Sequence, residues 1–296
     1  MADYAALWPA RALTMLAAAV FTPQAAAAVG FMASPQERGR AITFIFLGWS
    51  MASVFGMPLS AWIGESFGWR SAFATVAALA IVAALWVHRV VPDGVRPAAL
   101  SLRAWLGVFG HPVLMAIVLV TALSASGQFT LFSFFAPYYR QELGVSPGAV
   151  SFLFLWFGAF GLAGNLAMAR VIDRLGAPWC VGVALGGIAL SLLLWPLARG
   201  VATMALVTMP WALGCFASNS AQQARLGMAA PALAPALMAL NTSAMYLGQA
   251  VGAGGGGALL AASGYAALNW VGLAWLLGAM ALSVWAARRM RGVLHV

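Results

Sequence analysis

Residues 226–287 read LGMAAPALAPALMALNTSAMYLGQAVGAGGGGALLAASGYAALNWVGLAWLLGAMALSVWAA, 62 consecutive positions without a charged side chain. A hydrocarbon core about 30 Å thick is crossed by about 20 mostly apolar helical residues. The run therefore has room for two crossing helices and a turn, which falls best near Ser263 and Gly264. Seven further uncharged runs precede it, over 12–36, 41–64, 71–88, 104–139, 143–169, 175–198 and 200–224.

Composition agrees with that reading. Hydrophobic residues make up 64% of the chain and charged residues 7%, against roughly 25% charged in a soluble domain. So few charges cannot cover a water-facing surface, so lipid is the solvent. The net charge of +9 does not point to nucleic acid, because no basic cluster sits on a polar domain. All fifteen basic residues are arginines, mainly in short gaps between apolar runs, where they orient helices and meet anionic headgroups.

These runs predict an all-α integral membrane protein with about nine spanning helices, near 11–32, 41–63, 70–88, 113–136, 147–169, 178–197, 202–223, 235–262 and 267–287. Residues 1–91 hold the first three, 92–112 form a central linker at the membrane surface, and 113–296 hold the last six. One set of gaps carries Arg38, Arg40, Arg89, Arg96, Arg103, Arg170, Arg174, Arg225, Arg288, Arg289 and Arg291; the other carries Arg11, Arg70, Arg140 and Arg199. Positive charge concentrates on the cytoplasmic side. That predicts a cytoplasmic C-terminus and an N-terminus outside, in a bacterial inner membrane. The first nine residues lack the basic n-region of a signal peptide, although Gln24 to Ala28 mimics a cleavage site. A chain that starts outside without a leader reads as one lacking earlier helices.

Several motifs then point together. Glu37-Arg38-Gly39-Arg40-Ala41 joins the first two helices, and the second ends in Gly56-Met57-Pro58, Gly64 and Gly68-Trp69-Arg70. Later come Gly164-Asn165, Ala169-Arg170, Asp173-Arg174 and Gly176, and then Leu240-Asn241-Thr242-Ser243-Ala244-Met245-Tyr246-Leu247-Gly248-Gln249. This ordered set resembles the drug:proton antiporters of the major facilitator superfamily, of the arabinose-efflux type. The resemblance runs the length of the chain and numbers its helices four to twelve of the family, with the first three missing. It makes Arg11 the counterpart of the family's fourth-helix arginine, and Gly56, Pro58 and Gly64 the antiporter motif of the fifth helix. Asn165, Arg170, Asp173, Arg174 and Gly176 become the second copy of the cytoplasmic loop signature, with Ala169 where glycine is usual.

The resemblance implies two helical halves rocking about a central substrate site, and gradient-driven, proton-coupled export of a small amphipathic solute or drug. The alternatives are a sugar or nucleoside exporter, or a truncated product without transport activity. Every acid lies at a membrane boundary or in a loop, so no residue here takes the part of a buried proton-carrying carboxylate. Expected partners are the solute, protons, membrane lipid and a partner supplying the missing helices.

Residue chemistry adds candidates and alternatives. Arg170, Asp173 and Arg174 read as a latch on the cytoplasmic side or as plain anchoring charge. Gly56 and Pro58 bend a helix, with or without a consequence for transport. Arg11 helps couple protons or snorkels to the interface. Gln24, Gln128, Asn219, Asn241, Tyr246 and Gln249 line a substrate cavity or bond neighbouring helices, with Asn165 a further polar residue inside a span. Phe21, Phe129, Phe132 and Tyr138 suit a ring-bearing solute.

Other functions lack their residues. Gly252 to Gly257 has no Gly-Lys-Ser/Thr ending and reads as close helix packing, so ATP does not drive the protein. His88, His111 and His295 lie near boundaries, and neither His-Glu-x-x-His nor Gly-x-Ser-x-Gly occurs. The expectation is no enzyme, no cofactor and no metal. Cys180 and Cys215 sit in apolar stretches without CxxC spacing and read as packing thiols.

Overall fold

The computed structural model describes residues 51–95, 101–230 and 233–293, together with isolated positions between 9 and 48 that are all helical. The chain divides into two compact units, residues 1–99 and 100–296.

In the first unit a π-helical turn, Ala52–Gly56, leads directly into α1, Met57–Phe67. Proline explains the change of winding. Pro58 has no N–H to donate to the turn before it. Widening the helix by one residue just before it accommodates that lost bond, and such π-bulges are a recognised cause of kinks. Gly68, at φ 84°, breaks the helix before α2, Trp69–Val90. Arg70 lies over the Trp69 ring at 4.6 Å. The expected helix over 41–63 is described only from residue 51 onward, apart from helical Gly48.

The second unit holds α3 (Leu102–Phe109), α4 (Pro112–Phe132), α5 (Phe135–Gln141), α6 (Pro147–Leu175), α7 (Ala177–Leu194), α8 (Val201–Ala229), α9 (Ala234–Ser263) and α10 (Leu268–Val293). Starts and stops follow local chemistry. Ser146 caps α6 before Pro147, its hydroxyl accepting from Ala149 N at 3.3 Å, which satisfies one of the free amides of a first turn. Gly264, at φ 66°, turns α9 toward α10 through a 3₁₀ segment, Gly264–Ala267, where the sequence placed the turn.

Six continuous helical stretches among the described residues are long and apolar enough to cross a membrane: 69–90, 112–141, 147–175, 177–197, 201–229 and 234–290. The last is α9 and α10 in series.

Two expectations need amending. The segment 92–112, read as a linker, contains α3, whose Val108 is fully buried in a cluster with Val113, Leu114 and Ile117 of α4 and Leu237 of α9. Apolar residues at 102, 105, 106, 108 and 109 give this short stretch one oily side. The second concerns Arg225, placed by the sequence in a charged gap beyond a helix ending at 223. It lies inside α8 with 4% of its surface exposed.

Packing in this unit has an internal symmetry. α4 packs on α9 and α10, α8 packs on α6 and α7, and α7 meets α10. Exchanging α4 with α8, α6 with α9 and α7 with α10 leaves that pattern unchanged, as two three-helix repeats require. The seams are built on small residues. Gly248, Gly252 and Gly256 of α9 lie against the carbonyls of Ala122, Ser126 and Thr130 of α4, and a Cβ at any of them would collide with that backbone. Gly164 of α6 meets Leu213 of α8 in the same way. In lipid, where burying apolar surface drives little, such close contact supplies the cohesion.

Candidate functional site

Polar side chains gather where α4, α8 and α9 meet. Thr121 Oγ1 donates to Asn241 Oδ1 at 2.6 Å, and Asn241 Nδ2 donates to Asn219 Oδ1 at 3.4 Å. Gln222 Nε2 donates to Ile117 O at 2.9 Å and to Thr121 Oγ1 at 3.2 Å. Thr121, Gln222 and Asn241 are buried, while Asn219 is half-buried. None of the four carries a charge, so together they offer hydrogen bonds at little cost in desolvated charge.

Further along α4, Gln128 Oε1 accepts from the indole N–H of Trp211 at 3.1 Å, and its Nε2 donates to Ser124 O. Trp211 is fully buried on α8. Around it stand Phe135 at 5.1 Å, Phe157 at 6.1 Å, Trp195 at 6.3 Å and Phe132 at 6.4 Å between ring centroids. Phe129 meets Phe132 in a tilted pair at 5.3 Å. Tilted and edge-on pairs dominate, the geometries that ring quadrupoles favour.

Trp211 follows Pro210, which lies inside the continuous helix α8. Proline deprives one carbonyl of its helical donor and pushes the backbone apart. Beside it, Ser191 Oγ of α7 accepts from the Trp211 backbone N–H at 2.8 Å. A Cβ on Gly187 would stand 2.9 Å from the Pro210 carbonyl, so glycine there lets α7 lie against α8 at the proline. One residue thus joins three helices: its backbone to α7, its indole to α4 and its own position in α8.

Among the described residues of this unit a single charged side chain is buried. Arg225 donates from Nη1 to Ser283 Oγ at 2.8 Å and from Nη2 to Ser283 O at 3.0 Å. Among the described residues no carboxylate pairs with it. It lies one turn from the C-terminal end of α8, where the helix dipole favours a cation.

Of the cavity candidates, Asn219 and Asn241 come together, and Gln128 joins α4 to the aromatic group. Tyr246 is 36% exposed and Gln249 half-buried, and neither is hydrogen-bonded to the others. Gln24 is helical and exposed in the first unit. Arg11 lies outside the described residues. Gly56 ends the π-turn, Pro58 follows within the first turn of α1, and Gly64 is half-buried on α1. In α6, Asn165 is half-buried and Arg170, Asp173 and Arg174 are exposed. No ion pair joins these three among the described residues. Gly176, at φ 81°, donates its N–H to Ile172 O and closes the helix. Sequence reasoning missed Thr121, Gln222 and Ser283. Each is an ordinary polar residue in an apolar run, and only the facing helix gives it a role.

Comparison with known proteins places the chain. A family model described as Major Facilitator Superfamily matches residues 1–142 and 117–294. The chain is 27% identical over 261 residues to the inner membrane transport protein YdhP of Escherichia coli K12, covering 88% of this chain and 67% of that one. It is 25% identical over 269 residues to the uncharacterized MFS-type transporter YbcL of Bacillus subtilis 168, covering 89% and 68%. Helices of membrane-crossing length, a neutral polar core and these matches define a membrane transporter rather than an enzyme. The chain belongs to the Major Facilitator Superfamily.

Proposed function

We propose that this chain is a gradient-driven exporter of a small amphipathic solute, coupled to protons and set in a bacterial inner membrane with its C-terminus in the cytoplasm. The observation that carries this reading is a group of uncharged hydrogen-bonding side chains (Thr121, Asn219, Gln222, Asn241) at the junction of α4, α8 and α9, with a cluster of aromatic rings around Trp211 further along α4 and α8. Amides bind the polar end of an amphiphile and rings bind its apolar body. Export would proceed by rocking about the site, with Pro58 and the loop signature of Arg170, Asp173 and Arg174 as the bending and latching elements, and Arg11 as a coupling residue. Lipid, protons and the transported solute are the partners.

The test is reconstitution of the chain in liposomes with a fluorescent amphipathic dye inside and an imposed proton gradient. Dye movement that follows the gradient and collapses with a protonophore supports the reading. Movement indifferent to the gradient removes the coupling, and no movement in either orientation removes the transport.

The neutrality of the polar group favours a second reading, export of a sugar or nucleoside. Counterflow of labelled arabinose or uridine, without dye movement, would select it.

A further inference from the structure

The hydrogen bonds between α4, α8 and α9 run in one direction. Gln222 donates to Thr121, Thr121 to Asn241, and Asn241 to Asn219. The line starts and finishes on α8, and its ends have complementary unused valences. Gln222 Oε1 is buried, and no group among the described residues donates to it. Asn219, at the other end, accepts on its oxygen and keeps its amide protons to give. Residues three apart on a helix are neighbours on one face, their Cβ atoms about 5–6 Å apart. A single small group can therefore reach both ends.

The orientation of the Gln222 amide is determined by its surroundings. Its Nε2 faces the Ile117 carbonyl at 2.9 Å, an oxygen that can only accept. Turning the amide over would set two acceptors against each other, so Oε1 must be the end left over. The missing partner has to donate to Gln222 and accept from Asn219. An ammonium group donates without accepting, and an ether or carboxylate accepts without donating. A hydroxyl does both from one atom, which suits two side chains only three residues apart.

We propose that a hydroxyl group, from water or from a neutral hydroxylated solute, closes this line into a ring between Asn219 and Gln222. Half-buried Asn219 is its way in, and Gln222, 2% exposed, is its floor. Closing the ring removes a buried acceptor without a donor and lets each bond polarise the next. The inference does not depend on what the chain transports, so failed dye export leaves it standing.

The experiment uses the full chain in nanodiscs with nitrogen-15 on Asn and Gln side chains. The Asn219 amide signal is assigned by its loss in Asn219→Leu. The expected result is a nuclear Overhauser effect between that amide and water, with the sign of water that tumbles with the protein. It should be lost in Gln222→Met, which keeps the bulk and removes the acceptor. Xylitol and 1,2-dimethoxyethane are then titrated into the unaltered protein. Replacement of the water signal by one from xylitol assigns the hydroxyl to a solute, and its persistence assigns it to resident water. Absence of a long-lived contact from either source overturns the proposal. So does an unchanged signal in Gln222→Met, or equal displacement by the ether, an outcome readable even if that variant does not fold.

Discussion

The backbone N–H of Trp211 donates to Ser191 Oγ at 2.8 Å, one residue beyond the proline inside α8. A hydroxyl of one helix thus accepts from a backbone amide of another, beside a proline. Ser191 is fully buried, so Ser191→Ala leaves a buried amide without this acceptor, a loss of about 1–3 kcal/mol. The unfolding temperature of the detergent-solubilised protein should fall, and amide exchange should rise on both sides of Pro210. Unchanged exchange there would mean that α8 around the proline does not depend on α7.

The seam between α4 and α9 separates glycines that sit in one run of sequence. Gly252 lies against the Ser126 carbonyl, whereas Gly254 and Gly255 face open space. Gly252→Ala should therefore destabilise the protein by about 1–3 kcal/mol through overpacking. Gly254→Ala should be neutral or stabilising by up to about 1 kcal/mol, because alanine is the better helix former. Parallel unfolding curves decide it, and equal effects of the two substitutions would refute the packing assignment.

Arg225 and Ser283 are unequal partners. Removing the hydroxyl in Ser283→Ala leaves a buried cation with only the Ser283 carbonyl, at a cost of about 1–3 kcal/mol. Arg225→Met removes the charge itself and keeps an apolar stem, an exchange that is often neutral or stabilising at buried ionic sites. The expected order of stability, read from thermal unfolding, is Arg225→Met at or above the parent chain and Ser283→Ala below it.

Arg170, Asp173 and Arg174 are exposed at the end of α6, and exposed charges contribute little to folding. Substituting Asp173→Asn should leave the unfolding midpoint unchanged. If these residues latch the transporter, the same variant should lose dye movement in liposomes. Loss of stability together with transport would point instead to a structural role.

Much of the second unit was legible because charge and hydropathy mark where a helix must stay in lipid. Glycine at 264 supplied punctuation as well; α9 begins and ends within a residue of the expected places, and α6 begins where expected but runs on to Leu175. Arg225 was misplaced for the same reason. A charge was read as a boundary, yet a guanidinium can stay inside a span when Ser283 on α10 accepts from it. Helix α3 was overlooked because Pro92, Pro97 and Pro112 dominate the segment, while eight residues between them are enough for two turns with Val108 inward. In the candidate site, Asn219, Asn241 and Gln128 stood out as amides in apolar runs. Thr121 and Gln222 did not, since their importance lies in which helix faces meet, and nothing in a single helix records that.

The π-turn at Ala52–Gly56 has a consequence for the side chains that follow it. With 3.6 residues to an α-helical turn, one extra residue advances the angular phase by about 100°. Side chains after Gly56 therefore point in directions that a uniform wheel drawn from the preceding residues would not assign. A polar or small residue chosen for one side of the helix above the turn has its vertical neighbour below it displaced by one position in sequence. Deleting a single residue from 52–56 would thus act as a rotation, swinging Gly64 and the rest of α1 around the axis while leaving composition and hydropathy almost untouched.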